Sequence, residues 1–187
     1  QAQAQGFAQG NATTKLRDLY VADDYYTDTD SNAYQLPTFL GNHDMGRLSA
    51  LLRNGGITND ADLLKRVQLA NSLMYLTRGQ PIVYYGDEQG FIGAGGDKDA
   101  RQDMFATQTE QYATEDVLGG ASGAKDRYSQ KSVLYRFIRK LAALRKANPA
   151  LTDGAQIHRY ASKDAGIYAF SRVDQDTGIE YVVALNN

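Results

Sequence analysis

The chain has no cysteine and no tryptophan, and only three prolines and two histidines among its 187 residues. Without cysteine there is no disulfide, no thiolate metal site and no cysteine nucleophile. The same absence suits a secreted or periplasmic protein, the location favoured here. No apolar run approaches the roughly 20 residues needed to cross a bilayer. Residues 1–5, Gln-Ala-Gln-Ala-Gln, have neither the basic start nor the apolar centre of a signal peptide. Charge of one sign is also lacking. Twenty basic and 22 acidic residues leave a formal charge of −2, which argues against nucleic acid or a membrane surface as an electrostatic partner. The late basic cluster (Arg136, Arg139, Lys140, Arg145, Lys146) reads as the solvated face and C-terminal turn of a helix. No Ser-His-Asp spacing, P-loop or dinucleotide fingerprint occurs. Gly93-Ala94-Gly95-Gly96 neither follows a strand directly nor opens a helix, so it is a poor phosphate cradle.

The pattern that remains is α/β, changing to all-β. Residues 1–13 are polar and of low complexity, and are expected to be mobile. Residues 15–26 carry Leu16, Leu19, Tyr20 and Asp23 at helical spacing. Residues 36–40 form a short apolar strand, entered through Pro37. A loop is expected over 48–58. Asn59 or Asp60 then caps a helix whose Leu63, Val67, Ala70 and Met74 make one apolar stripe, with Gly79 standing where a C-terminal glycine belongs. Residues 81–85 are a second buried strand, so strand, helix and strand form a βαβ unit with parallel strands. Residues 86–128 read as mostly irregular, and a loop of that length after a strand is usually functional or disordered. Residues 128–147 are the strongest helix, with Leu134, Phe137, Ile138, Leu141 and Leu144 on one face and Pro149 as its stop. Near residue 152 the period changes to two. Residues 156–160, 166–172 and 179–185 alternate like antiparallel strands, and residues 174–178 make a hairpin turn between the last two.

Chemistry is expected where the strands end. His43 and Asp44 lie just past the first strand, Asp87 and Glu88 just past the second. In a parallel barrel both groups project at the C-terminal rim, where such folds place their active sites. Converging carboxylates are what glycoside hydrolysis requires: one donates a proton to the leaving oxygen, another stabilises positive charge on the sugar. They also suit cation binding or helix capping, and the residues alone leave these open. Asp23, Asp24, Asp28 and Asp30 could ligate calcium, but they lack the central glycine and closing glutamate of an EF-hand, and a solvated acidic turn is the preferred reading. His158, next to Ile157 in an expected strand, reads as a sheet residue rather than a ligand.

Two segments resemble the α-amylase family of glycoside hydrolases. Phe39-Leu40-Gly41-Asn42-His43-Asp44 is similar to that family's segment at the seventh barrel strand. Gly79-Gln80-Pro81-Ile82-Val83-Tyr84-Tyr85-Gly86-Asp87-Glu88 is similar to its eighth, in the same order and separated by one helix. Arg101-Gln102-Asp103-Met104-Phe105 is similar to the Arg-x-x-Met-aromatic element of the loop that follows. The helix to Ala147, with Asn148-Pro149-Ala150-Leu151, resembles the last barrel helix leading into a β-sandwich C-terminal domain.

The resemblance implies the C-terminal part of a (β/α)8 TIM barrel followed by an antiparallel, sandwich-type β segment. On this division residues 1–13 are a mobile lead-in, 14–151 the partial barrel, and 152–187 the truncated start of the all-β domain. It further implies that Asp44 is the family's third catalytic carboxylate, which grips sugar hydroxyls and favours the distorted ring of the transition state. His43 would bond the same sugar, Arg47 would be a substrate-binding rim arginine, and Glu88 would position a loop. The implied ligand is an α-glucan oligosaccharide or polysaccharide, and the implied reaction is retaining hydrolysis of α-1,4 bonds. No resident cofactor or metal is indicated by these residues; calcium would belong to a longer parent. Nothing here resembles the family's nucleophile and acid/base segments, so the chain is expected to be a fragment, inactive alone. Its exposed apolar faces would meet the remainder of the barrel or another copy. The alternative is a non-catalytic glycan-binding or assembly protein built on the same half-barrel.

Overall fold

The computed structural model describes residues 2–22, 25, 27–119 and 125–187. Its centre is a βαβ unit. Strand β1 (Pro37–Phe39) pairs in parallel with β2 (Gln80–Ile82), in the register Pro37 to Gln80, Thr38 to Pro81 and Phe39 to Ile82. Among the described residues each strand has a paired neighbour on one side only, and both are shorter than their apolar runs.

Between them lie α3 (Leu48–Asn54) and α4 (Asp60–Leu76). Helix α4 starts as its sequence dictates. The Asn59 carboxamide accepts hydrogen bonds from the Ala61 and Asp62 amides, and Asp60 and Asp62 place negative charge at the positive end of the dipole. Leu63, Val67, Ala70 and Met74 are all buried, as the stripe requires. Gly79, at φ 102°, turns the chain directly into β2. A Cβ there would sit 2.9 Å from the Leu36 carbonyl oxygen, so only glycine allows so close a passage across β1.

Four expectations need correction. The segment 1–13 is not a loose lead-in. Helix α1 (Ala2–Ala8) buries Ala4, Phe7 and Ala8, a small apolar face at i, i+3 and i+4 hidden among glutamines. Thr13 is fully buried, and its hydroxyl donates to the Ile167 carbonyl at 2.9 Å. The expected loop over 48–58 contains α3, because Leu48, Ala50 and Leu52 gain burial and Gly55 ends the helix. Helix α2 (Thr14–Ala22) takes up the described part of the 15–26 pattern; Asp23 and Tyr26 lie outside the described residues. Helix α6 spans Val133–Ala147, and its buried stripe is Leu134, Ile138 and Leu141. Leu144 faces outward at 46% exposure, and the neighbouring Arg145 is the buried residue of that turn. Pro149 does not merely stop α6 but opens α7 (Pro149–Thr152), a position that suits its fixed φ and missing N–H.

Residues 86–128 are largely irregular, with 3₁₀ turns at Asp87–Gln89 and Asp97–Ala100 and the short α5 (Glu110–Thr114). The chain closes on an antiparallel sheet in the order β3 (Ala155–Ala161), β4 (Ile167–Val173), β5 (Glu180–Asn186). Tyr168 and Phe170 of β4 enter the same core as α1, α2 and α4.

Two buried arginines join the βαβ unit to this sheet. Arg145 donates to the carbonyls of Tyr75 (2.7 Å), Thr77 (3.0 Å) and Gly79 (2.6 Å). Arg172 donates to those of Leu76 (3.1 Å) and Gly154 (3.0 Å). Of these, the Tyr75 and Leu76 carbonyls belong to the last turn of α4, which leaves them without partners inside the helix. Burial brings the Arg172 guanidinium down to about 10, and the hydrogen bonds it makes among the described residues run to carbonyl oxygens.

Candidate active site

The polar groups expected at the strand ends do converge. Beyond β1 the chain makes a tight turn closed by an isolated bridge between Asn42 and Gly46. The Asn42 side-chain oxygen accepts from the amides of Asp44 (2.9 Å) and Met45 (2.8 Å), an Asx turn that holds the tip. His43 and Asp44 sit on that tip with side-chain exposures of 60% and 66%, and His43 Nε2 lies 3.3 Å from Asp44 Oδ2. Both are open to a ligand.

Arg47 is elsewhere, which corrects the expectation that it is a substrate-binding rim residue. Its side chain is wholly buried. Nε donates to Gln102 Oε1 (2.9 Å), Nη1 to the Tyr85 carbonyl and Asp87 Oδ1 (both 2.8 Å), and Nη2 to the Ala100 carbonyl (3.2 Å). Its guanidinium carbon lies 4.7 Å from the Tyr84 ring centroid and 5.1 Å from that of Phe91. A guanidinium so enclosed touches no sugar; it fastens the end of β1 to the segment after β2. Burial pushes the Asp87 carboxyl up to about 6, against the opposing pull of Arg47. Gln102 in turn donates to Glu115 Oε2 at 2.8 Å.

The loop after β2 closes over the turn through glycine contacts. A Cβ on Gly46, at φ 81°, would lie 2.6 Å from the Gly95 carbonyl oxygen, and one on Gly96 would lie 2.7 Å from the Asp44 carbonyl oxygen. The run Gly93-Ala94-Gly95-Gly96 is thus a close-packing surface for the His43–Asp44 turn. Immediately after it, Asp97 is the one non-glycine residue with positive φ among those described, at 48°, and its amide donates to the Asp44 carbonyl at 3.2 Å. Arg101 Nη2 is 2.7 Å from Asp97 Oδ1 and 3.5 Å from Asp44 Oδ1, and its Nε is 3.4 Å from the His43 carbonyl oxygen. Arg101, Gln102, Asp97 and Glu115 were not singled out as site residues from the sequence. The Arg-x-x-Met element was the available signal, but spacing alone does not say what its arginine touches.

The remaining candidates are structural. Glu88 accepts from the Gly86 amide at 2.8 Å, steadying the turn out of β2. His158 stacks on Tyr168, with ring centroids 6.2 Å apart. Of the acidic stretch weighed for calcium and read as a solvated turn, Asp23 and Asp24 lie outside the described residues. Asp28 Oδ1 accepts from the Asp30 and Ser31 amides and the Ser31 hydroxyl, an Asx turn that occupies that oxygen. Among the described residues no three His, Cys, Asp or Glu side chains gather as a metal site.

Parallel strands with a helical crossover, a polar turn at their C-terminal ends and a following antiparallel sheet are the arrangement of the last part of a TIM barrel and the β segment that follows it. Residues 1–154 match the model of the alpha amylase catalytic domain, and the chain belongs to the alpha-amylase family. An alpha-amylase of Streptomyces lividans is 56% identical over 182 residues, covering 96% of this chain and 20% of that protein. The structure of an Anoxybacillus alpha-amylase superposes with a TM-score of 0.74 at 23% identity, covering 100% of this chain and 34% of the other. That of a Geobacillus thermoleovorans alpha-amylase complexed with acarbose does so at 0.66 and 24% identity, covering 97% and 34%. At these identities the two structures establish the fold alone. The chain spans about a fifth of the length of the Streptomyces relative. The architecture is therefore that expected: the C-terminal part of a TIM barrel with an antiparallel β segment.

Proposed function

We propose that this chain forms the sugar-gripping corner of an α-glucan-acting hydrolase of the retaining, α-1,4-cleaving kind, with Asp44 as its transition-state-stabilising carboxylate and His43 as a sugar ligand. The observation that carries this reading is the exposed His43–Asp44 pair at the C-terminal end of β1, with a 3.3 Å contact between the two side chains. A retaining glycosidase needs a nucleophilic carboxylate and an acid/base about 5–5.5 Å apart across the scissile bond. Two carboxylates of the segment after β2 have other duties: Asp87 is bound to the buried Arg47, and Asp97 to Arg101. The nucleophile and acid/base are accordingly assigned to barrel strands outside this chain, and the 187-residue chain alone is expected not to hydrolyse starch. The chemistry left to Asp44 is electrostatic. It accepts hydroxyl hydrogen bonds from the sugar and becomes a stronger partner as the ring gains oxocarbenium charge, an interaction that lowers the barrier only in so far as it grows in the transition state. The neighbours required by this reading are the other strands of a barrel. Ile82 (50% exposed) and Leu36 (39%) present apolar surface on the two-stranded sheet, a face such strands would cover.

The test is Asp44→Asn in an active enzyme carrying this segment. Turnover on maltooligosaccharides is expected to fall by roughly 100-fold or more, with glucan affinity changed far less. Unchanged turnover would overturn the role of Asp44. Robust starch hydrolysis by the 187-residue chain would overturn the assignment of the other two carboxylates.

A further inference from the structure

We propose that Arg47 is a positioning residue of the reaction: from inside the rim it sets where the His43–Asp44 tip stands. The inference rests on the reading of Asp44 given above and goes beyond it. The tip is built to move as one piece. Asn42 Oδ1 accepts from the Asp44 and Met45 amides at 2.9 and 2.8 Å, and Asn42 and Gly46 bridge across its base. Below that bridge the two arms of the turn touch. A Cβ on Gly41 would lie 2.8 Å from the Gly46 carbonyl oxygen and 3.3 Å from the Arg47 Cα. What fixes Arg47 therefore fixes the base of the turn, and with it the level and tilt of Asp44.

Arg47 is fixed from three stretches of chain. Just past β2, the Tyr85 carbonyl and Asp87 Oδ1 both accept from Nη1 at 2.8 Å. In the following loop, the Ala100 carbonyl accepts from Nη2 and Gln102 Oε1 from Nε, and Gln102 is held in turn by Glu115. At the start of α3, the Leu51 amide donates to the Arg47 carbonyl at 3.2 Å, so the same residue opens that helix. The Tyr84, Tyr85 and Phe91 rings wall the guanidinium in, with centroids 4.7, 5.4 and 5.1 Å from its central carbon. Four acceptors around one planar fork register the end of β1 against the end of β2. An ammonium is a point charge and cannot span them.

The chemistry follows from the exposure of Asp44. Its side chain is 66% exposed, so it has little packing of its own and takes its place from the base of the turn. A reacting group about 1 Å out of position can lose on the order of 100-fold in rate, even when the cause lies away from the chemistry. The buried fork supplies that placement without touching the sugar.

The experiment uses an active enzyme carrying this segment, assayed on maltooligosaccharides with kcat referred to folded enzyme. Arg47→Lys keeps a cation beside Asp87 and loses the fork. It is expected to lower kcat roughly 10- to 100-fold with KM within about twofold. Gly41→Ala wedges the same base without touching the arginine, and should give the same split. In an Asp44→Asn background either change should cause little further loss, because the carboxylate being placed is gone. A folded Arg47→Lys enzyme with wild-type kcat would overturn the proposal, since that is the result of a purely structural role. So would an equal fold-loss in both backgrounds, which would put the effect of Arg47 elsewhere in the site. Should Arg47→Lys fail to fold, Gly41→Ala in the two backgrounds decides by the same two outcomes. If Asp44→Asn alone leaves turnover unchanged, the reading of Asp44 fails, and that result is visible without any change at Gly41 or Arg47.

Discussion

Arg47 Nη1 and Asp87 Oδ1 meet at 2.8 Å beneath the exposed tip, one residue at the end of β1 and the other just after β2. This pair, not a surface feature, holds the two rim segments together. Arg47→Met leaves Asp87 without its cation and the Tyr85 and Ala100 carbonyls without donors. It should destabilise the fold by about 3–5 kcal/mol, read as a lowered denaturation midpoint. A loss under about 1 kcal/mol would show that the network does not bear on stability.

The same pair predicts a pH dependence. Burial, which outweighs the opposing pull of Arg47, raises the folded Asp87 carboxyl from 3.8 to about 6. Between those values the folded state holds a proton that the unfolded state has released, so stability falls as pH rises. The contribution is fully present below about pH 4 and lost by about pH 6, on the order of 2–3 kcal/mol. Denaturant unfolding of wild type and Asp87→Asn across this window should show the wild type losing ground relative to the variant as pH rises. A flat or opposite difference would refute the assignment.

Phe7 tests the N-terminal helix. It is 2% exposed, and Phe7→Ala should cost about 3–5 kcal/mol. A mobile lead-in would make the same change nearly silent in thermal unfolding.

Arg145 and Arg172 both donate to the Thr152 carbonyl at 3.4 Å besides their separate carbonyl partners. Each single change to Met should destabilise by about 1–3 kcal/mol through orphaned carbonyls. The double change should be more costly than the sum, by about 0.5–3 kcal/mol, because either single change already relieves the repulsion between the two cations and still leaves the Thr152 carbonyl one donor. Strict additivity in a double-mutant cycle would argue against a shared junction.

What could be read in advance was whatever depends on local pattern. The α4 stripe, the Asn59 cap, the parallel pairing of two short strands and the change to antiparallel strands near residue 152 all follow from periodicity and turn residues. Asp44 and His43 were legible as a tip because Gly41 and Asn42 end an apolar run. Arg47 was misread because spacing places a residue along the chain without saying whether it faces out or in. Its burial depends on Tyr84, Asp87 and Gln102, up to 55 positions away. Helix α1 escapes the pattern for a related reason: Phe7 and two alanines form an apolar face only because α4 and α3 supply a surface for it.

The glycine seam between Gly46 and Gly95–Gly96 bears on how this corner can be recombined. Because the backbones touch without room for a Cβ, the turn after β1 and the loop after β2 behave as one inheritable unit. A chimera crossing over within α4 would pair one parent's turn with the other's loop and should seat badly unless both carry glycine there. A crossover between the residues 42–102 and the start of α6 leaves the seam intact, so directed shuffling of related enzymes should recover active progeny preferentially from that side.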